Sequence, residues 1–481
     1  MQMSSSKLVM LDALDLSQAI KSKQVSCAEV MAAYLDHIER TNAKVNAIVS
    51  LEDRDGLMKQ AAERDRQLAR GEYLGWMHGF PHAVKDMVPT KGIRTTWGSA
   101  LLDTVPQSDA IIVERLKKRG AIVIGKTNTP EFGMGSQTYN SVFGATLNAY
   151  QPAKTAGGSS GGAAAALALR MLPVADGGDI MGSLRNPAAF NNVIGFRPSY
   201  GRVPLGPGNE LYLQQLACLG PMGRRVADVA MLLSTIAGPD SSEPLTIEQD
   251  PTVFAAPLAC DFRGTRIGWL GNLGGYLSIE PGVMELCVNS FEAFNAIGCK
   301  VEEARMSFSC EEMWETWLVL RHWLLAGTFA PLYLDAGKRE RMKPEARWEV
   351  EGGLKLSAAD VYKASFARSN FYQAMRKLFA SYDYLLLPTS QVFPFDATTH
   401  WPESINGRTM DTYHRWMEVV IPASLSGSPS ISMPVGFSHD GLPMGIQIIG
   451  KNRADFAVLQ VAYAYEQATD WVGKHLPAQL C

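Results

Sequence analysis

The sequence Gly157-Gly-Ser-Ser-Gly-Gly162 is followed directly by the Ala- and Leu-rich run Ala163–Leu172. Glycine allows close approach of backbone segments and positive φ angles, so the first stretch suits a tight turn. The second stretch is apolar on all sides and predicts a buried helix. Because the glycine run adjoins a buried helix, we expect an ordered turn that holds Ser159 and Ser160 in the interior, and not a flexible linker.

A second glycine-rich stretch, Asp176-Gly-Gly-Asp-Ile-Met-Gly-Ser-Leu-Arg185, follows shortly afterwards. Its Gly182-Ser183 step can place a hydroxyl on a tight turn whose backbone N–H groups point at the same spot. Such a cluster of amides stabilises an oxyanion in acyl transfer. We expect Asp179 and Arg185 to form a structural ion pair that braces this turn.

A lysine within an apolar context is the third feature, in the segment Ala83-Val-Lys-Asp-Met87. Loss of hydration disfavours the charged ammonium and lowers its pKa. A neutral amine can act as a general base. Lys85 is therefore a candidate base, although a single lysine is more commonly an exposed surface residue.

The three features together resemble the amidase signature family, in which a lysine and two serines form a Ser–cis-Ser–Lys triad. Lys85 and Ser159 are 74 residues apart, and Ser159 and Ser183 are 24 apart, as in that family. The resemblance extends over nearly the whole chain. It is carried by Leu74-Gly-Trp-Met-His-Gly-Phe-Pro-His-Ala-Val-Lys85, Gly125-Lys-Thr-Asn-Thr-Pro-Glu-Phe132, Asn186-Pro-Ala188, Pro429-Ser-Ile-Ser-Met-Pro434 and Gly441-Leu-Pro-Met-Gly445.

The resemblance implies a role for each matching residue. Ser183 would be the nucleophile, Lys85 the base, and Ser159, after a cis peptide bond, the relay between them. At pH 7 the base would need a pKa about three units below the ordinary lysine value. Ser160 would support the triad by a hydrogen bond. The remaining implied site residues are Ile180, Met181, Gly182 and Ser183, whose amides would form the oxyanion hole, and Gly133 and Met134, which would border the substrate.

The chain departs from the family pattern at Met181, where Gly-Gly-Ser is usual and Met181-Gly182-Ser183 stands here. The backbone donor survives this change, so the triad is unaffected. The Met181 side chain is expected to fill the core or to form part of a pocket wall, with core filling favoured. The same expectation of ordinary core packing holds for most of the large apolar residues near the motifs: Trp76, Trp97, Phe132 and Met134.

The predicted fold is α/β, a single large domain over residues 1–481 with a central mixed β-sheet covered on both faces by α-helices. Helical patterns occupy residues 1–70, including the capping box Ser26-Cys-Ala-Glu29 and a helix over about 53–70. The amidase signature core spans about 75–200. A helical region over about 281–380 is expected on the substrate side.

Bulk composition excludes several classes of function. The net charge of −3 gives no basic surface for nucleic acid or an anionic membrane. Seven widely spaced cysteines without a C-x-x-C pair favour reduced thiols in a cytoplasm over disulfides or zinc. The polar start of the chain gives no sign of a signal peptide. No cofactor and no metal are expected. Members of the family are often homodimers, so the resemblance makes a homodimer possible, but the sequence does not decide the oligomeric state.

The predicted activity is hydrolysis of a small, apolar or aromatic amide through a seryl acyl-enzyme, and carbamates (urethanase activity) or aryl esters suit the same chemistry. One alternative is an A-type subunit of a tRNA-dependent amidotransferase, which carries the same triad. A second alternative is an α/β-hydrolase, because Gly157-Gly-Ser-Ser-Gly161 also satisfies G-x-S-x-G. That alternative is disfavoured since no apolar strand precedes Ser159 and no histidine lies in a supporting motif.

Overall fold

The computed structural model describes residues 4–206, 208, 210–213 and 215–480. Within them the strands are β1 Ile48–Val49, β2 Pro81–Lys85, β3 Ile122–Thr127, β4 Ala175–Asp179, β5 Ile194–Arg197, β6 Cys218–Gly223, β7 Arg266–Trp269, β8 Lys300–Glu303, β9 Tyr384–Pro388, β10 Ser404–Ile405, β11 Arg408–Thr409, β12 Ser430–Phe437 and β13 Pro443–Gly450.

The α-helices are α1 Ser5–Met10, α2 Ala13–Lys21, α3 Cys27–Thr41, α4 Arg54–Ala69, α5 Ile111–Lys118, α6 Gly161–Ala168, α7 Arg185–Phe190, α8 Val226–Ile236, α9 Val283–Asn289, α10 Phe291–Ala296, α11 Cys310–Tyr333, α12 Ala336–Arg341, α13 Pro344–Leu354, α14 Ala358–Ser381, α15 Ile421–Ser426, α16 Asp455–Thr469 and α17 Trp471–Lys474. Helix α3 begins with the predicted capping box, in which Ser26 and Glu29 exchange hydrogen bonds.

The main sheet has eight strands in the order β4-β6-β5-β12-β13-β9-β7-β8. Strand β7 runs parallel to β8 and β9, and the other pairs are antiparallel, so the sheet is mixed as predicted. Strand β13 is buried along its whole length. Because successive residues of a strand face opposite sides, burial of all of them requires cover on both faces.

Two glycines of β13 show which helices provide this cover. A Cβ on Gly445 would lie 3.0 Å from Cβ of Ala189 in α7, whereas a Cβ on Gly450 would collide with Val458 in α16. These two positions are an odd number of residues apart and therefore face opposite sides of the sheet. The predicted arrangement, a central mixed sheet between helical layers, is confirmed.

The sequence pattern predicts a single sheet, and the structure differs here. Strands β1, β3 and β2 form a separate three-stranded sheet, in which β2 and β3 run parallel and Lys85 pairs with Thr127. The helix predicted over Ala163–Leu172 also differs, since α6 ends at Ala168. Arg170 adopts a φ of 61°, which a continuing helix does not permit.

Composition favours reduced cysteines, and the structure describes the state of six of the seven. The six described cysteines are free thiols, and Cys481 lies outside the described residues. In the part of the chain that the structure describes, no helix is both long and apolar enough to cross a membrane.

Candidate active site

Lys85 is the last residue of β2, a strand buried along its whole length between β3 and β4. The side chain is 2% exposed. Its Nζ lies 2.7 Å from Oγ of Ser159 and 3.0 Å from Oγ of Ser160. The predicted base is thus buried, and two serine hydroxyls are its hydrogen-bonding partners among the described side chains.

Ser159 and Ser160 occupy the turn that leads into α6. The peptide bond between Gly158 and Ser159 is cis, as the resemblance implies. The turn is fixed from outside, since Oγ of Ser136 donates to the carbonyl of Gly158 at 2.6 Å. Gly162 has no room for a side chain, because a Cβ there would lie 2.7 Å from the carbonyl oxygen of Asn128. The expected ordered, buried turn is therefore present.

Ser183 lies on the turn that connects β4 to α7. Asp179, at the end of β4, accepts hydrogen bonds from the amides of Gly182 at 2.9 Å and Leu184 at 3.2 Å. It also forms a buried ion pair with Arg185, as predicted, at 3.1 Å. A second guanidinium, that of Arg197, lies 3.1 Å from the same carboxylate.

Asp179 consequently remains ionised in the interior. Burial raises the pKa of the carboxyl, but the Arg185 and Arg197 guanidinium groups outweigh it and hold the pKa far below the usual range. A charged carboxylate with two guanidinium partners is a rigid anchor for the turn. The role of Asp179 and Arg185 is thus to shape the turn that carries Ser183.

The amides near Ser183 differ from the expectation at one position. The N–H of Gly182 donates to Asp179, and Gly182 does not border the cavity described below. Its amide is therefore engaged in holding the turn and cannot also face an oxyanion. Among the described residues, no turn or loop hydrogen bond occupies the amides of Ile180, Met181 and Ser183, and all three residues border the cavity.

The electrostatic surroundings of Lys85 favour a neutral amine. Burial lowers its pKa to about 7, and the carboxylates of Asp176 and Asp179 limit the fall. Asp176 is buried beneath the site, where it accepts hydrogen bonds from the backbone N–H of Lys85 at 3.2 Å and from Nε2 of His82 at 3.0 Å. At neutral pH a large fraction of Lys85 is therefore unprotonated and able to accept a proton.

A cavity of about 300 Å³ opens above these residues. Lys85, Ser159 and Ser183 lie in its wall, so the structure brings the three predicted residues to one site. The Ser183 hydroxyl has no hydrogen-bond partner among the described residues and is free to face a substrate. Gly133 and Met134, expected to border the substrate, also line the cavity.

Most of the large apolar residues near the motifs are buried in the core, as expected, but they also border the cavity, which was not expected. Four of the five line the cavity: Trp97, Phe132, Met134 and Met181. Trp76 is the exception, since it packs on Phe80 and donates to Thr235. Met181 is 2% exposed and belongs both to the core and to the cavity wall, so the two interpretations of this residue hold together.

The sequence analysis expects a helical region over about 281–380 on the substrate side, but it names no residue of the wall that α11 forms. The helix contributes Arg321, Leu324, Leu325, Thr328 and Phe329 to the cavity. The ring of Phe329 lies 4.8 Å from that of Phe132 and 6.5 Å from that of Trp97. A signal was present, because Arg321 is the single permanent charge in the otherwise mostly apolar stretch 317–329.

The cavity provides little support for an α/β-hydrolase mechanism. Oγ of Ser159 accepts from Lys85, and no histidine is found among the described residues that line the cavity. The described part of the chain also contains no group of three His, Cys, Asp or Glu side chains arranged to hold a metal ion.

Comparisons with known proteins identify the family of the chain. The sequence model of the amidase family matches residues 29–459. An acylamidase of Rhodococcus erythropolis is 33% identical over 484 residues, which cover 98% of each chain. A glutamyl-tRNA(Gln) amidotransferase subunit of Thermosynechococcus vestitus is 32% identical over 485 residues, covering 95% of this chain and 98% of the relative.

A solved structure shows the same architecture. The crystal structure of a bacterial aryl acylamidase of the amidase signature family superposes with a TM-score of 0.90 at 29% identity, and the match covers 97% of each chain. The sequence match, the fold and the arrangement of a buried lysine beside two serines lead to one conclusion. This chain belongs to the amidase family, the family of amidase signature enzymes.

Proposed function

We propose that this chain is an amidohydrolase that cleaves small, apolar or aromatic amides through an acyl-enzyme on Ser183. One observation carries the proposal. Nζ of Lys85 is buried 2.7 Å from Oγ of Ser159, in the wall of a cavity that Ser183 also lines. A buried amine beside two hydroxyls can remove the proton of a nucleophilic serine without help from a histidine.

The reaction would proceed in two steps. Ser183 attacks the carbonyl carbon while its proton passes to Ser159, and the Ser159 proton passes to the neutral amine of Lys85. The oxyanion is held by the amides of Ile180, Met181 and Ser183. The proton then returns along the same relay to the leaving amine, which departs and leaves an ester on Ser183. Water, deprotonated by the same relay, attacks the ester and releases the acid.

The cavity supports an apolar or aromatic substrate. Its wall is mostly apolar, and the rings of Trp97, Phe132 and Phe329 gather on one side. Aromatic rings pack well against such a cluster, with edge-to-face contacts that add to burial. The likeness to an acylamidase and to an aryl acylamidase supports the same substrate class. Carbamates and aryl esters would use the same nucleophile and oxyanion hole.

A second candidate is a subunit of an amidotransferase, favoured by the 32% identity to a relative with that name. The charged side chains in the cavity argue against it as the main activity. They are, among the described residues, Lys85, Asp179 and Arg321. The carboxylate among them, that of Asp179, is committed to two arginines. A free amino-acid amide would find no carboxylate available for its ammonium group.

The test is hydrolysis by the purified chain alone. Anilides, carbamates, aryl esters and glutamine would be offered to wild type and to Ser183→Ala, with release of amine or alcohol as the readout. We expect turnover of an aromatic amide that Ser183→Ala abolishes. Turnover of glutamine only, or no turnover until a partner chain is added, would contradict the proposal and favour the amidotransferase reading.

A further inference from the structure

Arg321 places a cation in the wall of an apolar cavity. Together with Leu324, Leu325 and Thr328 it lines the cavity from one face of α11, at the spacing of successive helical turns. Apart from Lys85 it is the only cationic side chain among the described residues that line this space. Apolar side chains would pack better at this position, so the presence of a guanidinium requires an explanation.

The guanidinium is held in one orientation from behind. Its Nε donates to Oε1 of Glu349 at 2.6 Å, and its Nη2 donates to the Tyr413 hydroxyl at 2.6 Å. Tyr413 in turn donates to the same carboxylate oxygen at 2.5 Å. Glu349 is fully buried, and its other oxygen accepts from Nδ1 of His322 at 2.7 Å. These contacts fix the plane of the guanidinium.

One edge of the guanidinium is left without a partner. Nη1 donates no hydrogen bond in the described part of the chain, and Nη2 donates one, so an N–H group of each nitrogen is left on the edge that the two nitrogens share. Buried donors without partners are costly, whereas donors that face a ligand site are satisfied when the ligand binds. Because Arg321 lines the cavity, the free edge is available to a bound molecule.

We infer that Arg321 is a substrate-binding residue that selects amides bearing a planar two-oxygen group, a nitro group or a carboxylate, on an aromatic ring. This inference rests on the proposed amidase function. Lys85, Ser159 and Ser183 engage the scissile amide, so Arg321 contacts another part of the substrate. The aromatic side chains Trp97, Phe132 and Phe329 would hold the ring, and two N–H groups of one guanidinium edge match two coplanar oxygens.

The carboxylate of Glu349, which neutralises Arg321, determines whether a nitro group or a carboxylate is preferred. Glu349 balances the charge of Arg321, so an uncharged nitro group is accepted without excess positive charge in the cavity. Removal of that negative charge leaves an unbalanced guanidinium, which attracts a carboxylate more strongly than a nitro group of the same shape. The pair Arg321 and Glu349 therefore sets both the shape and the charge of the preferred substituent.

The test compares acyl anilides that carry a para-nitro, para-carboxylate or para-isopropyl group on either the acyl or the aniline ring. Loss of Arg321 alone would leave Glu349 buried without its partner, and that variant can fail to fold. The double variant Arg321→Met with Glu349→Gln removes both charges. In wild type, the nitro and carboxylate anilides should have a higher kcat/KM than the isopropyl anilide. In the double variant we expect this ratio to fall by about tenfold or more, because KM for the nitro and carboxylate anilides rises. Each preference is compared with wild type on the same substrates, so differences in intrinsic reactivity cancel.

The single variant Glu349→Gln should shift the preference in a different direction from the double variant. It should raise kcat/KM for the carboxylate substrate relative to the nitro substrate. Unchanged preferences in both variants, or an equal loss for all three substrates, would overturn the role of Arg321.

A binding measurement separates this inference from the proposed reaction. If wild type cleaves none of the anilides, the amidase proposal fails, and Arg321 is tested by calorimetry with benzoate. The Ser183→Ala chain should bind benzoate about tenfold more tightly than the chain that also carries Arg321→Met and Glu349→Gln. Equal affinity, or no binding to either chain, would show that Arg321 has no part in ligand recognition.

Discussion

At the residue scale, the proposed chemistry depends on a lysine whose position favours the neutral amine. Burial lowers the pKa of Lys85 to about 7, and the site supplies hydroxyl groups, with no carboxylate in direct contact with Nζ among the described residues. The sequence motif indicated this residue and its partners. It could not indicate that the amide of Gly182 is used by Asp179, because that contact depends on the fold of the turn.

The pH dependence of turnover tests the base. Lys85 acts in its deprotonated form, so kcat/KM for an uncharged amide should rise with pH through about 7 and fall away on the acid side. The Asp176 carboxylate raises the pKa of Lys85, so in Asp176→Asn the acid limb should move to lower pH. The measurement is a pH–rate profile of both proteins.

Asp261→Asn serves as the control for this profile. Asp261 lies on the surface, where it pairs with the exposed Arg263. Its removal should leave the acid limb in place. An acid limb that stays in the same position in Asp176→Asn would show that another group controls the rate.

At the scale of elements, the turns around the two serines were predictable from their glycines, but the ends of the helices and the division of the sheet were not. Helix α6 ends at Ala168 because Arg170 takes a positive φ, which residue type does not reveal. The sequences of strands β2 and β3 give no sign that they lie outside the main sheet. Only the pairing of backbone hydrogen bonds assigns them to a separate sheet.

The close packing of α6 predicts a large effect of a single methyl group. In Gly162→Ala the new Cβ would lie 2.7 Å from the carbonyl oxygen of Asn128, so we expect a loss of about 1–3 kcal/mol or more of unfolding free energy. Gly327 is the matched control, a helical glycine in α11 with open space around it. Gly327→Ala should stabilise the chain by about 0.5–1 kcal/mol. Urea unfolding measures both, and equal effects would contradict the packing described for α6.

The buried carboxylate of Asp179, which holds the turn that carries Ser183, should also contribute to stability. Asp179→Asn leaves Arg185 and Arg197 buried without their carboxylate, so unfolding free energy should fall by about 3–5 kcal/mol. The folded pKa of Asp179 lies below its unfolded value, so its contribution is present at neutral pH and lost in acid. Urea unfolding at pH 7 is the measurement, with Asp261→Asn as an exposed control that should unfold like wild type. A similar result for the two variants would show that the buried network adds nothing.

At the scale of the whole molecule, the active site is assembled from segments that are distant in the sequence. The residues of the proposed triad come from residues 85–183, and their proximity was predictable because the motifs are local and ordered. The substrate wall comes from α11, whose apolar pattern is the same for a buried helix and for a cavity wall. The sequence therefore predicts the reaction more fully than the substrate, and the cytoplasmic location remains a prediction.

The most direct test of the central claim is the site of acylation. A para-nitrophenyl carbamate, whose carbamoyl-enzyme hydrolyses slowly, would be added to the intact chain, and the mass and the labelled peptide would be determined. The account predicts one added carbamoyl group on Ser183 and no label in Ser183→Ala or Lys85→Met. A label on Ser159, or labelling that persists in Ser183→Ala, would contradict it.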